Sequence, residues 1–209
     1  MASQSLKAFG FNCSLKPAAG ESSSTQVLLD QFFAELSKLG VDGDMARAVD
    51  FNIKPGVTSD EGEGDEWPGL RQRLLAADIL VIGTPIWLGQ PSSVSKRVLE
   101  RMDAFLTEKD ERGRMPSYGK VALCCVVGNE DGAHHTGAEV CQALVEVGFT
   151  IPAGGTTYWV GEALGSKEYK EFKSPPENVD AWNQMLASNT VHLARLLKAQ
   201  NYPGIVGGR

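Results

Sequence analysis

Short apolar runs alternate along this chain with stretches that carry apolar residues at helical spacing, which predicts strands and helices in turn. Residues 79–83 and 121–127 are nearly continuous aliphatic runs, typical of strands covered on both faces of a parallel sheet. Shorter or less regular runs predict three further strands, at residues 6–11, 45–49 and 151–160. Apolar residues at helical spacing predict five helices, near residues 28–39, 70–77, 94–105, 140–147 and 179–197.

This order of elements predicts the class of fold. Strands that alternate with helices favour right-handed βαβ units and an open parallel sheet. We therefore expect an α/β fold with five parallel strands, whose order the pattern leaves open. The length of 209 residues fits a single domain over residues 1–209, with a loose C-terminal tail from about residue 201.

Composition and charge exclude several classes of protein. A formal net charge of -6 provides no basic field for nucleic acid or an anionic membrane surface. We expect neither a membrane span nor a secretory signal, because no apolar run is long enough and the N-terminus lacks a basic region. The four cysteines form no CxxC pair, which predicts reduced thiols in a cytoplasmic protein. Residues 51–68, rich in acidic residues, glycine and proline, predict an exposed connection.

The loop after the first predicted strand, residues 12–26, concentrates small hydroxyl side chains at the start of a helix. Its polar candidates are Ser14, Lys16, Ser22, Ser23, Ser24, Thr25 and Gln26. Hydroxyls and the free amides of a helix N-terminus are suited to a phosphate dianion. The alternative is that one of these residues caps the helix and the others are solvated.

The same loop lacks the signatures of other phosphate-binding or phosphate-transferring proteins. Neither GxGxxG nor GxxxxGK[ST] is present, which disfavours ordinary dinucleotide-binding and P-loop folds. Cys13 occupies the place of a phosphatase nucleophile, but alanines stand where that chemistry needs an arginine. We expect Cys13 to be a packed thiol without a catalytic role.

The loop after the strand at residues 79–83 has the most specific composition in the chain, Gly83-Thr84-Pro85-Ile86-Trp87-Leu88-Gly89-Gln90-Pro91. Pro85 stiffens the exit from the strand, and Gly89 and Pro91 favour a turn. An exposed Trp87 at the edge of the sheet is suited to stack on a planar ligand, whereas a tryptophan that caps the core is the alternative.

The third loop, residues 128–135, combines a flexible backbone with hydrogen-bonding side chains. Gly128, Asn129, Glu130, Asp131 and Gly132 could bind the edge of a heterocycle. Glu130, Asp131, His134 and His135 are residue types that can bind a metal, but adjacent histidines are poor chelate partners. We therefore predict no metal site.

Taken together, these loops make the chain resemble the NAD(P)H-dependent FMN reductases of the flavodoxin-like family, from about residue 6 to residue 160. The resemblance implies a flavodoxin-like three-layer α/β/α sandwich that binds FMN. It implies that the first loop holds the FMN phosphate, that the second contacts the ribityl chain and the ring, and that the third faces the pyrimidine edge. The implied cofactor-binding residues are Ser14, Lys16, Ser23, Ser24, Thr25, Gln26, Thr84, Pro85, Ile86, Trp87, Leu88, Gly89, Gly128, Asn129, Glu130, Asp131 and Gly132.

The chain departs from the family pattern at two positions. An arginine common in the family's phosphate loop has no counterpart except Lys16, and a tyrosine often found in the second motif is Trp87. The resemblance implies hydride transfer from NADH or NADPH through FMN to a quinone, a flavin or a similar small acceptor, without an obligatory catalytic side chain. The alternatives are a flavodoxin-like electron carrier and a non-catalytic scaffold that has lost FMN.

The resemblance also implies an assembly. It suggests a homodimer with the flavins near the subunit interface. Residues 51–68 and 156–166, the latter with Tyr158 and Trp159, are candidates for shaping that interface or the substrate entrance. For the acidic residues 51–68, a simple solvated loop is the alternative.

Overall fold

A computed structural model describes residues 5–20, 22–162 and 164–205 and confirms the predicted alternation of strands and helices. Residues 206–209 of the predicted tail lie outside the described residues. The strands are β1 (Leu6–Asn12), β2 (Val41–Arg47), β3 (Ile79–Trp87), β4 (Gln90–Pro91), β5 (Val121–Gly128) and β6 (Thr156–Val160). The helices are α1 (Ser24–Lys38), α2 (Trp67–Ala76), α3 (Ser93–Arg101), α4 (Ala133–Glu146) and α5 (Glu177–Ala199).

Five strands pair in parallel in the order β2-β1-β3-β5-β6, and the two-residue β4 pairs antiparallel with β3. From β1 the chain continues to β2, which lies on one side of β1. From β3, which lies on the other side of β1, it continues in the opposite direction to β5. The loops that follow β1 and β3 therefore diverge and leave a crevice at the carboxyl ends of these strands. The five-stranded parallel sheet and the α/β class are confirmed, and the strand order is the flavodoxin-like one.

Helices cover both faces of the sheet and form the three expected layers. On β3, Leu80 and Ile82 pack into the apolar cluster that includes Trp67 of α2. Their neighbours Ile79 and Val81 point to the opposite face, into the cluster formed with α1 and α5. Because both faces are buried, the central strands read as continuous aliphatic runs rather than as alternating ones.

The second strand differs most from its predicted position. It spans Val41–Arg47 and is followed by a short 3-10 turn at Ala48–Asp50, whereas the sequence predicted a strand at residues 45–49. Among the described residues, β2 lies at the edge of the sheet and pairs only with β1. Asp42 and Asp44 are exposed there, so the first half of the strand carries no apolar pattern.

The acidic connection, residues 51–68, is more than a solvated loop. Many of its residues are exposed, but Ile53 and Trp67 are buried in the core. A fully buried ion pair between Asp65 and Arg101 of α3 anchors it. In the described part of the chain, no helix is both long and apolar enough to cross a lipid bilayer.

Candidate functional site

A cavity of about 460 Å³ lies at the carboxyl ends of β1, β3 and β5, where the strand order reverses. This volume is within the usual range of small-molecule sites. The three loops singled out in the sequence meet here, together with β6 and the segment that follows it. The lining residues are Ser14, Leu15, Lys16, Ser23, Ser24, Thr25, Pro85, Ile86, Trp87, Leu88, Val127, Gly128, Asn129, Glu130, Trp159, Glu168 and Tyr169.

Side chains in the first loop bend the backbone around one end of the cavity. Asn12 Oδ1 accepts a hydrogen bond from the Ser14 amide at 2.9 Å. Ser14 Oγ in turn accepts one from the Lys16 amide at 3.1 Å. Turns of this kind fold a short polar segment back on itself without regular secondary structure.

The N-terminus of α1 provides polar groups at the same end. Ser23 is the N-cap residue, and its Oγ accepts from the Gln26 amide at 3.1 Å. Ser24 Oγ accepts from the Lys170 amide at 3.2 Å. Because a helix has no carbonyl partner for its first amides, those of Ser24 and Thr25 can bind an anion, and the helix dipole favours negative charge there.

The second loop is a tight hairpin that displays Trp87. Trp87 pairs with Gln90, and the two residues between them, Leu88 and Gly89, have φ angles of +53° and +73°. Positive φ at both central residues is the type I′ geometry that joins antiparallel strands. Trp87 is 53% exposed, which excludes its alternative role as a tryptophan that caps the core.

The third loop packs tightly against this hairpin. Glu130 Oε1 accepts a hydrogen bond from the Leu88 amide at 2.8 Å. Gly132 begins α4 with a φ of +121°, and a Cβ there would lie 2.7 Å from the Gly89 Cα. Only glycine fits this close approach of two backbones.

The two histidines and Cys13 lie outside the lining of the cavity. Within residues 5–20, 22–162 and 164–205, no three His, Cys, Asp or Glu side chains are grouped so that they could hold a metal ion. His134 Nε2 lies 3.1 Å from Tyr158 Oη, and His135 pairs with Glu139. Burial raises the pKa of the Cys13 thiol to about 12, so it is a neutral thiol at physiological pH.

Most of the predicted site residues line the cavity, but five do not: Gln26, Thr84, Gly89, Asp131 and Gly132. Thr84 is fully buried, and its Oγ1 accepts from the Ser92 amide behind the hairpin. Asp131 Oδ1 accepts from the amide of the next residue, Gly132. Gln26 lies behind the first loop and bonds to Asn12 and Asp30. These residues support the walls of the cavity.

Two cavity residues in the segment after β6, Glu168 and Tyr169, lie beyond the stretch 156–166 that the sequence indicates as a candidate for the entrance. Glu168 and Tyr169 line the cavity because this segment crosses the N-terminus of α1. Tyr169 is fully buried, and its hydroxyl donates to Gln31 Oε1 at 2.5 Å. Burial raises the pKa of Tyr169, so the phenol stays protonated. Trp159 belongs to the stretch predicted to shape the entrance, whereas Glu168 and Tyr169 belong to no recognisable motif.

Comparison with known proteins places this architecture in a family. The family model described as NADPH-dependent FMN reductase matches residues 6–164. The chain is 33% identical to the 8-demethyl-8-aminoriboflavin-5'-phosphate synthase of Streptomyces davaonensis over 94% of this chain and 80% of that protein. It is also 39% identical to the divalent metal cation transporter MntH of Mycobacterium bovis, but that match covers 93% of this chain and only 29% of that protein.

Solved structures agree with the family match. The crystal structure of RosB with the bound intermediate 8-demethyl-8-formylriboflavin-5'-phosphate has a TM-score of 0.86 and 32% sequence identity, with 95% of this chain and 82% of that chain covered. An apo NADH:FMN oxidoreductase, EMOB, shares the fold with a TM-score of 0.67 at 16% identity, covering 97% of this chain and 96% of that chain. The chain therefore belongs to the family of NADPH-dependent FMN reductases, with a flavodoxin-like fold.

Proposed function

We propose that this protein binds FMN in the cavity and transfers hydride from NADH or NADPH, through the flavin, to a quinone, a flavin or a similar small acceptor. The observation that carries the proposal is the asymmetry of the cavity. One end holds the hydroxyls and amides of the first loop and α1, and the other end is apolar around the exposed Trp87. This arrangement matches a ligand with a phosphate at one end and a planar ring at the other.

The polar end suits a phosphate dianion in its donor chemistry. Ser14, Ser23 and Ser24 each accept a backbone N–H with their hydroxyl oxygen. Each hydroxyl can therefore donate its own proton to a phosphate oxygen. Lys16 lines the same end and would add a positive charge. Charge-assisted bonds from hydroxyls, amides and an ammonium group are the usual means of holding a phosphate.

The apolar end suits a flavin ring. Ile86, Val127 and Trp159 supply apolar surface, and Asn129 supplies hydrogen-bonding groups at the edge. Glu130 uses one carboxylate oxygen for the Leu88 amide, and its second oxygen could accept the N–H at the pyrimidine edge of the ring. The proposal assigns that contact to Glu130 rather than to Asp131, because Asp131 does not line the cavity.

The flavin, when bound, supplies the redox chemistry, and the protein supplies position and access. The Trp87 side chain would form one wall of the site in which first the nicotinamide and then the acceptor binds. No side chain is required as an acid or a base in this proposal.

The decisive experiment is an absorbance measurement on the purified protein reconstituted with FMN, followed by anaerobic addition of NADH and NADPH in separate cuvettes. Rapid bleaching of the flavin bands supports the reductase and identifies the preferred nicotinamide. Bands that persist indicate an electron carrier. Failure to take up FMN indicates a scaffold without a cofactor and contradicts the proposal.

A second candidate is an enzyme that modifies the flavin itself. It is favoured by the 33% identity to a synthase of 8-demethyl-8-aminoriboflavin-5'-phosphate and by the bound flavin intermediate in RosB. Mass spectrometry of the flavin after aerobic incubation separates the two candidates. A reductase returns FMN with its mass unchanged after many turnovers, whereas a modifying enzyme changes the mass of the flavin.

The proposal includes a homodimer. Leu15, Trp87 and Leu88 are 45%, 53% and 91% exposed around the mouth of the cavity. Clustered apolar surface of this kind is typical of an interaction site. Light scattering coupled to size-exclusion chromatography should give twice the mass of the 22.5 kDa chain. The monomer mass would contradict this part of the proposal.

A further inference from the structure

An arginine outside the cavity holds the first loop from behind. Arg47 lies at the carboxyl end of β2, and its guanidinium Nη1 donates to the carbonyl oxygens of Lys16 and Pro17 at 3.2 and 3.0 Å. Its Nη2 donates to Gln26 Oε1 at 3.0 Å. One planar side chain thus bonds to the middle of the segment that joins β1 to α1 and to the first turn of α1.

The hydrogen bonds continue from Arg47 to the lining of the cavity. Gln26 Oε1 also accepts from Asn12 Nδ2 at 2.8 Å. Asn12 Oδ1 accepts from the amide of Ser14, which lines the cavity at the proposed phosphate site. Arg47 is therefore linked to a lining residue through two amide side chains, although it does not itself line the cavity.

A second anchor comes from the turn that follows Arg47. Both carboxylate oxygens of Asp50 accept from the Ala18 amide, at 3.0 and 3.2 Å. The end of β2 therefore fixes the first loop at Lys16, Pro17 and Ala18. Loop residues that are held before a ligand arrives lose less entropy on binding.

We propose that Arg47 is a positioning residue that sets the affinity for the phosphate of the bound flavin, by holding the first loop in its binding conformation. This inference rests on the proposed function, because it needs FMN as the ligand. The described residues of the loop between β1 and α1 form no regular secondary structure, and Arg47 reaches this loop from the neighbouring strand β2.

The fork geometry is the property that matters. A guanidinium reaches three separate acceptors in fixed directions, whereas the lysine ammonium is a compact point charge on a flexible stem. Arg47→Lys keeps the charge but loses the fork, and Arg47→Ala loses both. The matched control is Arg73→Ala, because Arg73 of α2 bonds to Asp44 and to the Met45 carbonyl of the same strand, away from the cavity.

The test is a fluorescence titration of apoprotein with FMN and, separately, with riboflavin, which lacks the phosphate. We expect Arg47→Ala to weaken FMN binding by about tenfold or more and riboflavin binding by less than about twofold. Arg47→Lys should weaken FMN binding by at least about fivefold, because it cannot replace the three bonds. Arg73→Ala should bind both ligands like the wild type.

Several results would overturn the inference. An Arg47 variant that binds FMN as tightly as the wild type would contradict it. An equal loss of affinity for FMN and for riboflavin would also contradict it, because it would indicate a general structural role for Arg47. Arg47→Lys keeps the test decisive if Arg47→Ala does not fold. If the wild-type protein binds neither FMN nor riboflavin, the proposed function itself fails. If the wild type binds FMN and an Arg47 variant binds it equally well, only the role of Arg47 fails.

Discussion

Replacement of Arg101 by methionine should destabilise the protein far more than the loss of a surface ion pair. Arg101 and Asp65 have no solvent-exposed side-chain area, and Arg101 Nη2 donates to Asp65 Oδ2 at 2.7 Å. The other guanidinium N–H groups donate to the carbonyls of Lys54 and Thr58. Arg101 thereby joins α3 to three positions of the acidic connection.

The magnitude follows from what the substitution leaves behind. Methionine fills much of the space but cannot donate, so the buried Asp65 carboxylate loses its cationic partner and keeps only backbone N–H donors. The carbonyls of Lys54 and Thr58 lose their guanidinium donors. Removing one member of a buried ion pair costs about 3–5 kcal/mol, against a typical total stability of about 5–15 kcal/mol. Arg114→Met is the matched control, because the Arg114–Asp110 pair is partly exposed and such pairs contribute about 0–1 kcal/mol.

Urea unfolding followed by circular dichroism measures both variants. We expect Arg101→Met to lower the free energy of unfolding by about 3–5 kcal/mol and Arg114→Met to lower it by less than about 1 kcal/mol. Equal small losses in the two variants would contradict this prediction, because they would mean that the buried Asp65 carboxylate needs no cationic partner.

The pH dependence gives an independent check. Burial by itself would raise the pKa of Asp65, but hydrogen bonds from Arg101 and from backbone amides outweigh burial and hold the pKa well below its usual range. A lowered carboxyl pKa adds stability above the unfolded-state pKa of about 3.9, and this stability is lost as the pH falls. The difference in the free energy of unfolding between the wild type and Arg101→Met should therefore become smaller below about pH 4. A difference that stays constant would contradict the account.

Three further predictions concern the cavity and the thiols. Trp87→Ala should change turnover with NADH or NADPH more than it changes the dissociation constant for FMN, and unchanged kinetics would exclude Trp87 as a wall of the substrate site. Leu88→Asn should raise the free energy of unfolding by about 1 kcal/mol, because Leu88 has a φ of +53° that asparagine tolerates better, and urea unfolding measures this. Cys13, Cys124 and Cys125 are fully buried and their pKa values are raised, so mass spectrometry should find them unlabelled by iodoacetamide at pH 8 until the protein is denatured; rapid labelling of the native protein would contradict the buried, neutral thiols.

Much of the fold could be predicted because buried positions are occupied by apolar residues, which are visible in the sequence. β3 and β5 are covered on both faces, and the aliphatic runs at residues 79–83 and 121–127 report this. β2 was placed wrongly because an edge strand exposes Asp42 and Asp44 and has no such run. The hydrophobic pattern of a sequence shows which positions are buried. An edge strand such as β2 is held by backbone hydrogen bonds to its neighbour, which leave no such pattern.

The candidate site could be predicted in part for a similar reason. Ser14 and Ser23 come after β1 and Trp87 ends β3, and the carboxyl ends of parallel strands meet at one edge of the sheet. Glu168 and Tyr169 could not be found in this way, because they enter the cavity only when the segment after β6 crosses the start of α1.

Local patterns along the chain were enough to predict the alternation of elements, the polar loops at the strand ends and, through the composition of those loops, the resemblance to FMN reductases. The tertiary structure alone decided the strand order, the exposure of Trp87, the bonds from Arg47 to the first loop and the buried pair of Asp65 with Arg101. The physical reason is that periodicity and turn chemistry act over a few residues. Contacts between residues 31 or 36 positions apart depend on the directions that several loops take at once.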